Sequence, residues 1–230
     1  MAKTISERLS VVRGRIVAAA EAAGRDPREV TLITVTKTHP AEVVDEAVIA
    51  GAHDLGENRV QEAQAKKPGV RAARWHLIGP LQRNKARVAL EVFDVIHTVD
   101  RLEIADRLQF LLGQHWPDRV EDVLLEVNIG NEPQKAGVAP ADARGLLDAV
   151  RDHDQLVVRG LMAIPPFAAE PEASRPFFRS LRELRDRLQD ETGHALPALS
   201  MGMSHDFEIA VAEGATLVRV GTAIFGPRGG

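Results

Sequence analysis

The chain has 230 residues and a formal net charge of −4, with 44% apolar and 27% charged residues. That suits one soluble α/β-barrel domain over residues 1–230 and leaves no basic footprint for nucleic acid. No cysteine is present, which excludes disulfides, thiolate metal sites and a cysteine nucleophile; no apolar run suits a signal peptide or a membrane helix, so the expected compartment is the cytoplasm.

In chain order, Ile5, Leu9, Val12 and Ile16 are spaced as one face of an amphipathic helix that ends near Gly24. Residues 31–40, TLITVTKTHP, begin as a strand buried on both faces and run into Lys37. A helix over 41–50 follows Pro40 and closes at Gly51. The pattern then repeats as strand, loop and helix. Strands are expected at 53–56, 75–79, 93–98, 123–128, 156–162, 198–202 and 217–221. Helices are expected from Asn58, from about Gln82, behind an Asp100/Glu103 capping box, from Pro140, and over 206–213. Phe177, Leu181, Leu184 and Leu188 mark the buried stripe of a further, otherwise charged helix.

Eight strands alternating with helices predict a (β/α)8 TIM-type barrel with an additional N-terminal helix, which takes the eighth place in the outer ring because nothing helical of any length follows the last strand. The rival fold, a doubly wound open sheet, lacks its dinucleotide fingerprint here, and no Walker loop is present.

In such a barrel the carboxyl ends of all strands meet on one face. That rim would carry Lys37, residues 56–59 (GENR), His76 to Gly79, His97, Asn128, Met162, residues 201–204 (MGMS) and residues 219–222 (RVGT). The last two groups follow strands seven and eight, the usual phosphate site of this fold. Gly202 and Gly221 would let the backbone approach an anion, and Ser204 and Thr222 add hydroxyls. Lys37 is one of only six lysines. It is a surface lysine after a strand or an amine able to form a Schiff base, and the neighbouring phosphate cradle favours the second. The pair suggests a phosphorylated carbonyl compound held as an imine.

Other features have plainer readings. Ser204-His205-Asp206 has the letters of a hydrolase triad, but consecutive residues cannot align its three members. The eight histidines lack metal-ligand spacing, and His76 reads as a hydrogen-bonded lining residue. Met162, Met201 and Met203 read as core or pocket packing, and Glu57 and Arg59 as a surface pair.

The segments TVTKTHP, GENRVQE, WHLIGPLQRNK, NEPQKAGV, GLMAIPP and SMGMSHDFEIAVAEGATLVRVGTAIFG together resemble the pyridoxal phosphate homeostasis proteins, a family similar to the N-terminal barrel of alanine racemase. The match spans nearly the whole chain; Thr36 stands where a serine is expected before the lysine. The resemblance implies that Lys37 carries pyridoxal 5′-phosphate (PLP) as a Schiff base. Ser204, Gly221 and Thr222 would hold its phosphate, and Arg219 would lie against the pyridine nitrogen. Asn58 and the backbone around His76 and Met201 would line the ring.

An arginine at that nitrogen disfavours ring protonation and weakens the electron sink. The alanine racemases, by the same resemblance, take a second acid–base group, a tyrosine, from another domain; this chain has no tyrosine. The expected function is therefore a PLP carrier for vitamin B6 homeostasis, a monomer without robust catalysis and without a metal. Apo PLP-dependent enzymes would be its recipients. The alternatives are a weak PLP-dependent racemase-like enzyme and a class I aldolase that uses Lys37 directly.

Overall fold

The computed structural model describes residues 3–226. The first half of the chain gives α1 (Ile5–Ala22), β1 (Thr31–Val35), α2 (Ala41–Ile49), β2 (Asp54–Glu57), α3 (Val60–Lys66), β3 (Arg74–Leu77), α4 (Ala86–Val92), β4 (Val95–Val99) and α5 (Leu102–His115). The second half gives β5 (Glu121–Glu126), α6 (Ala143–Arg151), β6 (Leu156–Met162), α7 (Arg175–Thr192), β7 (Ala198–Met203), α8 (Phe207–Ala212), β8 (Leu217–Val220) and α9 (Thr222–Phe225). The strands pair in parallel in sequence order, and β1 closes the barrel on β8 through Thr31↔Leu217 to Thr34↔Val220. This is the expected (β/α)8 architecture.

Helix α1 begins at a capping box, in which the Glu7 amide donates to Thr4 Oγ1 and the Thr4 amide to Glu7 Oε2. Its stripe Leu9, Val12, Ile16 and Ala20 is buried, and the helix packs among α8, α9 and α2. It thus occupies the open place in the helical ring. Arg15 ties it to α8 by donating to Glu208 (2.5 Å) while lying over the Phe207 ring.

Several local expectations need correction. No capping box opens α5: Arg101 is its N-cap without a side-chain bond, and Asp100 instead accepts from the Arg101 guanidinium at 2.6 Å. The buried stripe of α7 is Phe178, Leu181, Leu184 and Leu188; Phe177, one residue round the helix, is only half-buried. A single turn of helix, α9, does follow the last strand. Helix α6 starts at Ala143 rather than Pro140, and α4 is preceded by a 3-10 turn over Arg83–Lys85.

Two separate cores result. The larger lies between barrel and helices and holds Trp75, Phe93, Phe178 and Phe207 with most of the buried leucines. The smaller fills part of the barrel interior with Val95, Leu124 and Met162, flanked by Ala198 and Leu217. The interior also holds Ile33, packed on Gly56, and a polar group, with His76, His97, Ser200 and Arg219 all buried.

Candidate functional site

A cleft of about 240 Å³ opens at the carboxyl ends of the strands. Val35, Lys37, His39, Asn58, Ile78, Arg219, Ser204, Gly221 and Thr222 line it, and Ile164, Phe167 and Met203 form an apolar rim. Phe167 is 87% exposed.

The wall that carries Lys37 is held by charge. Strand β1 stops at Val35, so Lys37 sits two residues past the sheet on a short connection to α2. Thr36, just before it, is buried; its amide donates to the Gly56 carbonyl and its hydroxyl to Glu57 Oε1 at 2.6 Å. Just after it, Thr38 has φ +70, a left-handed backbone that a β-branched residue adopts at a cost of about 1–3 kcal/mol. That turn is kept closed because the Thr38 amide donates to Glu62 Oε1 at 2.5 Å. Lys66 gathers all the parts: its ammonium donates to the Thr36 carbonyl (2.8 Å), Glu57 Oε1 (2.5 Å) and Glu62 Oε1 (2.8 Å). Lys66 is 7% exposed and Glu57 fully buried. Burial pushes the Glu57 carboxyl up, against the pull of Lys66 and Thr36, and its Oε2 has no hydrogen-bond partner among the described residues. Glu62, though partly desolvated, is held below the usual carboxylate range by Lys66 and the Thr38 amide.

The opposite wall is held by neutral dipoles. Ser204 Oγ accepts from the amides of Gly221 (3.2 Å) and Ala223 (3.4 Å), which draws the β7 and β8 loops together. A Cβ on Gly221 would lie 3.0 Å from the Val35 carbonyl oxygen, so a side chain there would press the nest and β1 apart by a few tenths of an ångström. Gly202 has a different task from the one expected. Its φ is +88, and a Cβ there would come within 2.5 Å of Ala210 Cβ; it serves the turn and the seat of β7 on α8 rather than an anion. The letters of the triad diverge: Ser204 holds the nest, His205 Nε2 pairs with the Ala169 carbonyl, and Asp206 Oδ1 accepts from the Met203 amide.

Arg219 forms the floor. It is 3% exposed and donates from Nη1 to Ser200 Oγ (2.6 Å) and from Nη2 to the Ala163 carbonyl (2.9 Å). Burial brings its pKa down to about 10, with Glu126 and Asp206 opposing the fall, so it remains a cation at neutral pH.

Lys37, Asn58, Ser204, Arg219, Gly221 and Thr222 are therefore brought to one cleft. The His76 and Met201 side chains are buried beneath the cleft, and two residues further along the chain Ile78 and Met203 line it. His97 likewise lies inside the barrel, and Asn128 clamps the β5–α6 loop through Glu132. Glu57 and Arg59 are no surface pair; Glu57 is buried on Lys66 while Arg59 stays exposed. The Lys66 support escaped the sequence reading. The available signal was the i,i+4 spacing of Glu62 and Lys66, which usually marks a solvated helix face.

The chain matches the family described as alanine racemase, N-terminal domain, over residues 11–229. It is 46% identical over 224 residues to the pyridoxal phosphate homeostasis protein of Aquifex aeolicus, covering 96% of this chain and 97% of that one. It is 47% identical over 227 residues to the protein of the same name from Pseudomonas aeruginosa, covering 98% and 96%. Among solved structures it is similar to PipY of Synechococcus elongatus with PLP bound: TM-score 0.84 and 40% identity, over 97% of this chain and all of that one.

Proposed function

The chain belongs to the family of the pyridoxal phosphate homeostasis proteins, and from that premise we propose that it binds PLP at the cleft and buffers the cofactor for intracellular homeostasis. One observation carries the reading: the Lys37 side chain and the Ser204–Gly221–Thr222 nest line the same cleft. The residues present suit this cofactor. Lys37 supplies a primary amine for its aldehyde. The nest presents the Ser204 and Thr222 hydroxyls to a phosphate, and the Gly221 and Ala223 amides, which donate to Ser204 Oγ in the ligand-free protein, could turn to it on binding. Asn58, on the cleft wall, has an Oδ1 without a hydrogen-bond partner among the described residues.

When bound, PLP supplies an electron sink whose strength rises with protonation of its ring nitrogen. The Arg219 guanidinium holds a fixed positive charge on the floor of the cleft and opposes a second one beside it. Thr36 and Thr38 hold the Lys37 turn through Lys66 and Glu62. This arrangement favours reversible holding over turnover. In this reading the protein acts as a single barrel domain, a cytoplasmic monomer, and delivers PLP to apo PLP-dependent enzymes. A second reading, weak racemase-like activity, draws support from His39 and His205 on the cleft wall, each a group able to move a proton.

Incubation with PLP is expected to give a visible absorption band that borohydride fixes as a mass increase on Lys37, and Lys37→Ala is expected to lose both. An unchanged band in that variant sinks the assignment. Steady-state racemisation of amino acids well above that of free PLP would favour the second reading.

A further inference from the structure

A continuous line of hydrogen bonds crosses the barrel interior and ends on Arg219. Arg219 Nη1 meets Ser200 Oγ at 2.6 Å, and Ser200 Oγ meets His97 Nδ1 at 3.0 Å. His97 Nε2 then meets His76 Nδ1, and His76 Nε2 meets Asp54 Oδ1, both at 2.9 Å. Arg219, Ser200, His97 and His76 are each at most 3% exposed. Asp54, the first residue of β2, is 21% exposed and lines a cleft at the opposite end of the barrel beside Arg13 and Thr31.

Valence fixes the two end links, and a neutral His76 then sets the sense of those between. A guanidinium only donates and a carboxylate only accepts. Asp54 therefore takes the His76 Nε2 proton. In neutral His76 this leaves Nδ1 as an acceptor, so His97 must donate from Nε2. Neutral His97 then accepts at Nδ1, which commits the single Ser200 hydroxyl hydrogen to His97. The serine lone pairs are left for Arg219. Burial, the largest cause, holds His97 well below the usual imidazole range, in keeping with a neutral ring. A proton added to His76 would reverse the central links: His97 would carry Nδ1–H, and the Ser200 hydrogen would lose its acceptor.

We propose that Asp54, His76, His97 and Ser200 are positioning residues that form a one-way relay, through which a carboxylate at the amino end of the barrel sets the orientation of Arg219 in the cleft. The consequence for PLP rests on the reading of Arg219 as the group against the ring nitrogen. The relay itself is a property of the protein without ligand.

The test therefore has two arms, both on the full chain. In 15N-histidine NMR of the ligand-free protein at neutral pH, His76 and His97 are expected as Nε2–H tautomers. An Nδ1–H tautomer at His97 overturns the relay. In the second arm, Asp54→Leu removes the terminal acceptor far from the cleft, while Asp54→Asn keeps an oxygen for His76 to donate to. Asp54→Leu is expected to mix the His97 tautomers, shift the visible band of the PLP-loaded protein and raise the Kd for PLP about fivefold. Asp54→Asn is expected to restore the wild-type tautomer and band. An Asp54→Leu variant with wild-type tautomers and band overturns the proposal. Wild-type protein that takes up no PLP overturns the reading of the cleft instead, and the tautomers alone then decide the relay.

Discussion

The two walls of the cleft solve different problems by different physics. The Lys37 wall rests on buried charge: Lys66 sits among Glu57, Glu62 and the Thr36 carbonyl, and a left-handed Thr38 is clamped by a carboxylate. The Ser204 wall is joined by two amides around a hydroxyl, with the Asp206 carboxylate accepting from the Met203 amide of the same turn. An amine that must reach one atom needs its backbone pinned, and charge-assisted bonds are the strong and directional way to pin it. An anion brings its own charge, so preorganised dipoles suffice and no countercharge has to be desolvated beforehand. The first wall should fail abruptly when a partner is removed, and the second by degrees.

The largest expected effect breaks the first wall. Lys66→Met leaves Glu57 buried with only Thr36 for company and frees the Thr38 turn. A loss of about 3–5 kcal/mol of unfolding free energy is expected in urea titrations, since severing a buried ion pair strands its partner. The comparison is sharpened by Glu126, which ends β5 as Glu57 ends β2 but has no such lysine. Its Oε2 lacks a hydrogen-bond partner among the described residues, and burial, with Asp100 adding to it, pushes the carboxyl up to about 7. Between about pH 4.5 and 7 the folded state then holds a proton that the unfolded state has lost. Stability accordingly falls as pH rises through that window, by an amount on the order of 3 kcal/mol. Glu126→Gln is expected to remove that fall, so that its advantage over wild type grows from pH 4.5 to 7. Glu121, also pushed up to about 7, titrates in both proteins and cancels in the difference. Parallel stability curves for wild type and Glu126→Gln would show that the unpaired carboxylate carries no such penalty, and the contrast with Glu57 would lose its basis.

The barrel and the nest were legible in the sequence because both leave local marks. Strand spacing, the stripe of α1 and the glycine and hydroxyl at residues 221 and 222 are written within a few residues of one another. The Lys66 support and the interior relay were not, because periodicity reports which face is apolar and says nothing of which polar groups meet. His97 and Ser200 are 103 positions apart, and nothing near either marks the other as a partner. The apolar strand around His76 marks backbone that reaches the rim without saying which of its residues faces the cleft. The two-residue alternation of β3 puts Ile78 there and leaves His76 a layer below. Gly202 misled in another way: glycine marks close approach without saying to what, and here the neighbour is Ala210.

The smallest effect belongs to the dipolar wall. Ser204→Ala removes the oxygen that accepts from Gly221 and Ala223 without stranding a charge. The two bonds are long, and the freed amides stay near a cleft that water can enter. The expected loss is about 1 kcal/mol of stability in the ligand-free protein, measured by denaturant titration. Phosphate oxygens would meet the same amides, so saturating inorganic phosphate should narrow the gap between variant and wild type. A loss from Ser204→Ala as large as that from Lys66→Met, or one that phosphate leaves untouched, would mean that this wall is structural in the same sense as the other. The division between a pinned amine and a waiting anion site would then be wrong.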